Sequence, residues 1–291
     1  MLTSRPSAKK RAFTLVEMLV VLGIIGLLVA LLVPAIMAAM NNARRAAMSL
    51  EMANLEKGLE TYKQQRGEYP PSFGDYNTSG TLAYGQTSGT HTRYNCVVER
   101  HFQRCYPKFL DNPSVMNDPK DRFYTDIAPE IDQGEALVLW LRSVSTNPAR
   151  PLDTTDTAST RHGYYEFDDK RLVDADGDGF ATYQPRYARE TDYIYVENRN
   201  YAQFMQQNCY ARSGPNQSTL PYGSSATTAV NPKTFQIICA GLDGEFGALP
   251  TPAMNRYPAK QFPAGIGYTT GDRDNLTNFS GGRTLGDARP Q

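Results

Sequence analysis

Hydrophobic residues dominate one long stretch near the N-terminus of the chain. From Met18 to Met40 the sequence is apolar almost without interruption, and a single carboxylate, Glu17, stands at its start. A run of 23 residues is long enough to cross a bilayer as a helix. Because an acidic residue is costly to keep at the edge of such a helix, we expect Glu17 to have a functional role.

The helical pattern continues beyond the apolar run. Residues 35–66 are rich in strong helix formers, and apolar side chains recur at spacings of four and three residues, at Met48, Met52, Leu55, Leu59 and Tyr62. One helix is therefore predicted over residues 13–66, with residues 13–36 in the membrane. The helix is expected to pack on the rest of the chain over part of its length and on neighbouring copies over another part. Pro34 is expected to kink or locally melt the helix.

The remaining sequence predicts a globular domain over residues 67–291, which gives the chain an α+β fold. A short amphipathic helix is predicted at residues 129–144. Runs rich in aromatic and β-branched residues predict strands at residues 163–167, 193–196 and 234–238. Together they indicate a small antiparallel sheet laid against the long helix, with long loops between the elements.

The charge pattern predicts which end of the chain stays in the cytoplasm. Residues 1–12 carry four basic and no acidic side chains, whereas the whole chain has 30 of each sign. Under the positive-inside rule this leader stays inside and the C-terminal part lies outside. Without the leader the chain is acidic, so a nucleic-acid partner is not expected. A cleaved secretory signal or a plain signal anchor is the alternative, although neither accounts for Glu17.

The junction between leader and apolar run resembles the N-terminal segment of type IV pilins and type II secretion pseudopilins. The similar residues are Lys9-Lys10-Arg11-Ala12 followed by Phe13-Thr14-Leu15-Val16-Glu17. The resemblance implies that a prepilin peptidase cuts between Ala12 and Phe13 and methylates the new amine. It also implies that Glu17 neutralises the amine of a neighbouring subunit during assembly. Pro34 falls where these proteins often carry a helix-bending proline, whereas Ala12 replaces the usual glycine before the cut.

The chain contains four cysteines, Cys96, Cys105, Cys209 and Cys239. An even number in an exported domain favours two disulfides, and proximity in sequence suggests Cys96–Cys105 and Cys209–Cys239, although three pairings exist. His91 and His101 lie beside the first pair, so a metal site is the alternative there.

A short acidic loop is the clearest local site in the domain. Asp174, Asp176 and Asp178 stand at alternate positions, and Gly179 occupies the sixth position of the pattern. This spacing resembles the first half of a calcium-binding loop. The twelfth position is Pro185 rather than glutamate, so the loop is not an EF-hand. Calcium binding and a solvated acidic turn both remain open.

Two stretches near the C-terminus, residues 240–247 and 271–279, are similar to the end of major type II secretion pseudopilins. In those proteins a Gly-x-Asp-Gly turn and a later acidic segment enclose a structural calcium ion. The resemblance implies that calcium is bound by Asp243 with one or two of Asp272, Asp274 and Asn275. The linker between the two stretches is longer here, and Phe279 stands where tryptophan is usual.

A structural filament subunit is the predicted function. The resemblance implies assembly with itself and other pseudopilins, contact with a prepilin peptidase and an inner-membrane assembly platform, and a single-pass location in the bacterial inner membrane with a periplasmic domain. No serine-hydrolase, zinc-protease or phosphate-loop motif occurs, so no enzyme is predicted. The alternatives are a minor or tip pseudopilin, a membrane-anchored calcium-binding adhesion module, and an anchored enzyme.

Overall fold

One long helix begins the described part of the chain. In the computed structural model, α1 spans Leu15–Arg66 and contains 52 residues. Its end is marked by Gly67, whose φ of 88° is readily adopted only by glycine and whose amide donates to the carbonyl of Lys63 at 2.7 Å. The structure describes residues 14–72, 76–77, 100–101, 104–106, 131–142, 163–177, 179–188, 190–201, 209–213, 217–249 and 260–289.

The helix continues through Pro34 without a break. Of the two effects expected of Pro34, local melting is not observed in this structure, and a kink stays a prediction. Within an exposed helix, the backbone bond that a proline removes is a local loss, and helical bonds on either side hold the chain.

The chain divides into two compact units, residues 1–43 and 44–291. The division lies within α1, whereas the sequence analysis placed the domain boundary at residue 67. The reason is the apolar stripe, because all five of its side chains are buried in the second unit: Met48, Met52, Leu55, Leu59 and Tyr62. Packing on the chain's own domain is thus observed for this stripe, whereas packing of the helix on neighbouring copies stays a prediction.

The strands of the second unit are short and form three antiparallel sheets among the described residues. One sheet has the order β1-β5-β6, the second is the β2-β3 pair, and the third has the order β4-β7-β8. The strands are β1 Tyr76–Asn77, β2 Leu172–Val173, β3 Thr182–Tyr183, β4 Ile194–Glu197, β5 Cys209–Ser213, β6 Gln217–Thr219, β7 Phe235–Cys239 and β8 Leu276–Thr277.

Two of the three predicted strands correspond to β4 and β7, displaced by one residue. The third, residues 163–167, has no strand in the structure. The amides of Tyr164 and Tyr165 both donate to the carbonyl of Leu141, at 2.8 and 3.2 Å, so this backbone is used to close the end of a helix. The aromatic side chains that suggested a strand pack on the core instead, with the ring centroids of Tyr164 and Tyr62 4.9 Å apart.

A second helix, α2, spans Gln133–Leu141 within the predicted range 129–144. A capping box fixes its start. The Asp132 side chain accepts hydrogen bonds from the amides of Gly134 and Glu135, and the Asp132 amide donates to the Glu135 carboxylate. The helix contacts β3, β4 and β5. Trp140 is fully buried and donates its indole N–H to the carbonyl of Pro71 at 2.8 Å.

A half-buried carboxylate on α1 connects this helix to the sheets. Glu51 accepts hydrogen bonds from the Arg171 guanidinium at 3.0 Å, the Tyr183 hydroxyl at 3.0 Å and the Tyr193 hydroxyl at 2.8 Å. A long helix whose second half is packed on small antiparallel sheets confirms the predicted α+β fold.

Candidate functional site

The N-terminal end of α1 is organised by a hydrogen-bonded pair. Thr14 directly precedes the helix, and Glu17 is the third helical residue. The Thr14 amide and hydroxyl both donate to Glu17 Oε2 at 2.8 Å, and the Glu17 amide donates to Thr14 Oγ1 at 3.2 Å. This is a capping box, which satisfies helix-start amides that have no partner within the helix. The Thr-x-x-Glu spacing signals it, and the sequence analysis missed it.

The pair occupies one oxygen of the Glu17 carboxylate. Both Thr14 bonds reach Oε2, and Oε1 accepts none from the part of the chain that the structure describes. Glu17 is exposed. The capping box therefore orients the carboxylate and leaves an oxygen for a partner from outside the chain. Ala12 and Phe13, the predicted processing residues, lie outside the described residues.

The helix beyond Glu17 presents apolar side chains on every side. Residues 14–40 are all exposed, from Leu15 at 80 % to Met18 at 47 %. Among the described residues, α1 is the one helix whose length and composition would allow it to cross a membrane. None of the apolar window in the first half of α1 is buried, so this half does not form part of a hydrophobic core. These properties fit a single-pass membrane anchor, and Pro34 lies within it.

At the C-terminal candidate site, Asp272 is completely buried. Its Oδ1 lies 2.5 Å from Lys260 Nζ and accepts from the Tyr222 hydroxyl at 2.9 Å. Its Oδ2 accepts from both the amide and the hydroxyl of Thr269 at 2.8 Å. The carboxylate thus has four hydrogen-bond donors around it, and one of them is a cation.

Asp274 is held separately from Asp272. Its Oδ1 lies 2.6 Å from the Arg45 guanidinium on α1. Its Oδ2 accepts from the amides of Leu242 and Asp243 at 2.6 and 3.1 Å. Gly241 has a φ of 76°, and a Cβ there would lie 2.2 Å from the Asp274 carbonyl oxygen. The Gly-x-Asp-Gly turn therefore serves to bring two amides to Asp274.

The remaining predicted ligands of this site point elsewhere. Asp243 is exposed and accepts from the Glu245 amide at 3.0 Å, and partial burial raises the pKa of its carboxyl. The side-chain amide of Asn275 is buried and lies 2.9 Å from the Tyr222 hydroxyl. Among the described residues, the aspartates of this region form no group of three or more closely spaced ligand atoms. The donors around Asp272 do not suit a calcium ion, which needs oxygen ligands on every side.

The loop between β2 and β3 contains the other predicted calcium residues. Asp174 Oδ1 accepts from the Gly177 amide at 2.7 Å, and its Oδ2 accepts from the Gly179 amide at 3.1 Å. Both glycines have positive φ, 81° and 94°. Asp176 is exposed, and Asp178 lies outside the described residues. Calcium binding by this loop stays a prediction.

Cys105 and Cys239 are both buried, and neither forms a disulfide with another cysteine whose side chain the structure describes. Burial raises the pKa of Cys105 to about 11 and that of Cys239 to about 12. Cys96 and the side chain of Cys209, their predicted partners, lie outside the described residues. The two disulfides stay a prediction.

A polar cluster surrounds Cys105 at the end of α1. Its thiol, the His101 ring and the Glu68 carboxylate place ligand atoms within 4.8 Å of one another. His101 Nδ1 lies 2.7 Å from Glu68 Oε1, and its Nε2 lies 2.8 Å from the Tyr62 hydroxyl. The hydrogen bond from His101 lowers the pKa of Glu68 to about 2, while burial lowers the pKa of His101. A neutral His101 ring that donates from Nδ1 to Glu68 and accepts at Nε2 from the Tyr62 hydroxyl makes both of these hydrogen bonds.

The same carboxylate is also paired with two guanidinium groups. Glu68 lies 3.2 Å from Arg104 and 3.3 Å from Arg199. These cations already balance its charge, so the cluster is better suited to fixing the loop after α1 than to holding a metal. The sequence analysis placed His101 and Cys105 near each other but missed Glu68, which lies 33 residues before His101.

Comparison with known proteins gives one family match. The prokaryotic N-terminal methylation motif matches residues 7–33. No curated protein and no solved structure matches the chain. This motif is typical of type IV pilin-like proteins, which are processed by a prepilin peptidase and assemble with other pilin subunits. Its family is structural rather than enzymatic.

Proposed function

We propose that this chain is a structural subunit of a type II secretion pseudopilus or a related type IV pilus-like filament. The observation that carries the proposal is Glu17, a carboxylate held by a capping box at the start of a fully exposed apolar helix that lies within the matched motif. The capping box uses only Oε2 of this carboxylate, and its negative charge is costly to keep at the edge of a membrane without a partner.

Processing supplies the partner for Glu17. Cleavage between Ala12 and Phe13 creates a new amine one residue before Thr14. In a filament, the amine of an adjacent subunit approaches Glu17 Oε1, which the capping box leaves accessible. An unpaired charge in a core of bundled apolar helices is strongly unfavourable, so only the register that pairs amine and carboxylate is stable. The capping box fixes the position of the carboxylate before the partner arrives.

The two units then have different tasks. Residues 1–43 provide the leader, the membrane segment and the assembly contact, with the leader in the cytoplasm. Residues 44–291 form the periplasmic domain, which the buried stripe on α1 fixes to the helix. A filament built by adding such subunits at the inner membrane moves the domains outward, and this movement is the work that drives secretion.

A minor or tip subunit is the second candidate. The domain of residues 44–291 is far larger than the helix that carries it, and repeating it on every subunit would crowd a filament. The number of copies of this chain per sheared filament distinguishes a minor or tip subunit from a main subunit. One copy per filament identifies a tip subunit, whereas copies along the whole length identify the main subunit.

The test uses the full chain in its native host. We expect the mature protein to begin at Phe13 and to carry one extra methyl group, as measured by intact mass and N-terminal sequencing. Glu17→Gln is expected to leave the protein inserted and folded but absent from sheared filaments. Glu166→Gln, at an exposed loop position, is the matched control and should assemble normally. A chain that keeps Met1, or a Glu17→Gln protein that assembles at the wild-type level, would contradict the proposal.

A further inference from the structure

The C-terminal region of the domain contains a cation of its own. Lys260 is 1 % exposed, and its ammonium reaches only two described acceptors, Asp272 Oδ1 at 2.5 Å and the Phe246 carbonyl at 3.3 Å. A buried ammonium is strongly destabilising unless it is paired, and Asp272 provides that pair. Burial lowers the pKa of Lys260, and the Asp272 carboxylate opposes this shift.

The pair joins segments that are distant in sequence. Gly247 has a φ of 79°, and a Cβ there would lie 2.2 Å from Asp272 Oδ2. The backbone three residues beyond the Gly-x-Asp-Gly turn thus passes directly against the carboxylate. Lys260, the 246–247 backbone and the 269–272 segment therefore meet at one point. A structural metal ion commonly provides this kind of junction in loops with few apolar side chains.

A second cation makes the equivalent connection to the helix. Arg45 on α1 lies 2.6 Å from Asp274, whose other oxygen is held by two amides of the 241–244 turn. The guanidinium therefore links α1, the turn and the acidic segment through one carboxylate.

A calcium ion would be unfavourable beside these groups. Calcium requires six to eight oxygen ligands at 2.3–2.6 Å. The groups that approach Asp272 are an ammonium, two hydroxyls and an amide, which all direct hydrogens at the carboxylate. The positive charge of Lys260 would also repel a divalent cation at hydrogen-bond distance.

We propose that Lys260 and Arg45 take the place of calcium in this region, so that the C-terminal loops are held by internal side-chain cations and the domain folds independently of the metal. The calcium that the C-terminal resemblance implies is then not used at Asp272 and Asp274. The proposal is independent of filament assembly, because it concerns the stability of the isolated subunit.

The experiment measures thermal unfolding of the full chain in detergent micelles, followed by the fluorescence of Trp140, which is fully buried and is the only tryptophan. All proteins carry Asp174→Asn and Asp176→Asn, which remove the separate acidic loop. Each is measured with a chelator and with about 2 mM calcium, above the dissociation constants typical of extracellular sites. We expect the same unfolding midpoint in both conditions, and no bound calcium by equilibrium dialysis.

Substitution of the lysine tests the other half of the proposal. Lys260→Met is expected to lower the midpoint by about 10 °C, since breaking a buried pair leaves Asp272 unpaired. Lys233→Met, at an exposed lysine, is the matched control and should have the wild-type midpoint. The double variant Lys260→Met/Asp272→Asn removes both charges and should recover most of the loss, even if the single variant fails to fold.

Two results would overturn the proposal. One is an unfolding midpoint that rises when calcium is added to the otherwise unchanged protein but does not rise in the Asp272→Asn variant. The other is a Lys260→Met protein as stable as the Lys233→Met control.

Discussion

Replacing Glu51 tests how firmly the second half of α1 is fixed to the domain. Its carboxylate is the shared acceptor of the Arg171 guanidinium and the hydroxyls of Tyr183 and Tyr193. In Glu51→Ala all three donors lose this acceptor at once, and they belong to segments more than 100 residues away along the chain. We therefore expect a loss of domain stability, with the membrane segment unaffected.

The size of this loss follows from the contacts that remain. Breaking a buried ion pair costs about 3–5 kcal/mol. Both side chains are 13 % exposed, and Arg171 keeps the Gln184 carbonyl at 3.1 Å and the Tyr183 ring at 4.4 Å. The lower end, about 3 kcal/mol, is therefore expected for Glu51→Ala. For a domain of this size it corresponds to a midpoint lowered by about 6–12 °C.

The assay is thermal unfolding of the full chain in detergent, followed by Trp140 fluorescence. Glu51→Gln retains one oxygen acceptor for the tyrosine hydroxyls, so its loss of stability should be about half that of Glu51→Ala. Glu166→Ala removes an exposed glutamate and is the control. A loss below about 1 kcal/mol for Glu51→Ala, the size of an average substitution, would refute the role assigned to this carboxylate.

Acid titration and one glycine substitution test two other parts of the domain. Because the pKa of Glu68 is lowered from 4.5 to about 2, the unfolded chain binds more protons between these values, and stability falls as the pH falls through this window. Over that range wild-type protein should lose about 1–2 kcal/mol more than Glu68→Gln in urea unfolding, since solvent screening at the partly exposed Glu68 weakens the effect, whereas equal losses would contradict this reasoning. Gly134→Ala should destabilise the domain by about 1–3 kcal/mol in the same assay, because its Cβ would lie 2.1 Å from Ser213 Oγ. Helix propensity alone predicts that Gly134→Ala stabilises the domain. A gain in stability would therefore show that Ser213 moves aside.

The parts of the fold that sequence could predict are those set by local periodicity. The stripe from Met48 to Tyr62 was recognised because helix geometry alone places residues three and four apart on one face, and each member is buried. The Glu17 capping box is equally local, and its spacing could have been used. Strand-like composition at residues 163–167 was misleading, because aromatic side chains pack on a core equally well from an irregular segment.

The contacts that sequence could not predict join residues far apart in the chain. Nothing near Lys260 indicates that it is buried, and lysine is almost never fully buried without a partner. Its partner Asp272 was instead assigned to calcium, since a carboxylate pattern does not show whether the opposing charge is a metal or a side chain. The sequence around Glu51 likewise does not indicate its partner Arg171, which lies 120 residues later.

The buried stripe on α1 also has a consequence for the timing of synthesis. Its core partners include Leu276 in β8, near the end of the chain, so Tyr62 leaves the ribosome more than 200 residues before the core can close. At typical translation rates of about 5–20 residues per second, this interval is about 10–40 s. Throughout it the apolar helical face lacks part of its core. The nascent chain is therefore most prone to aggregation in the interval before the last strand is made.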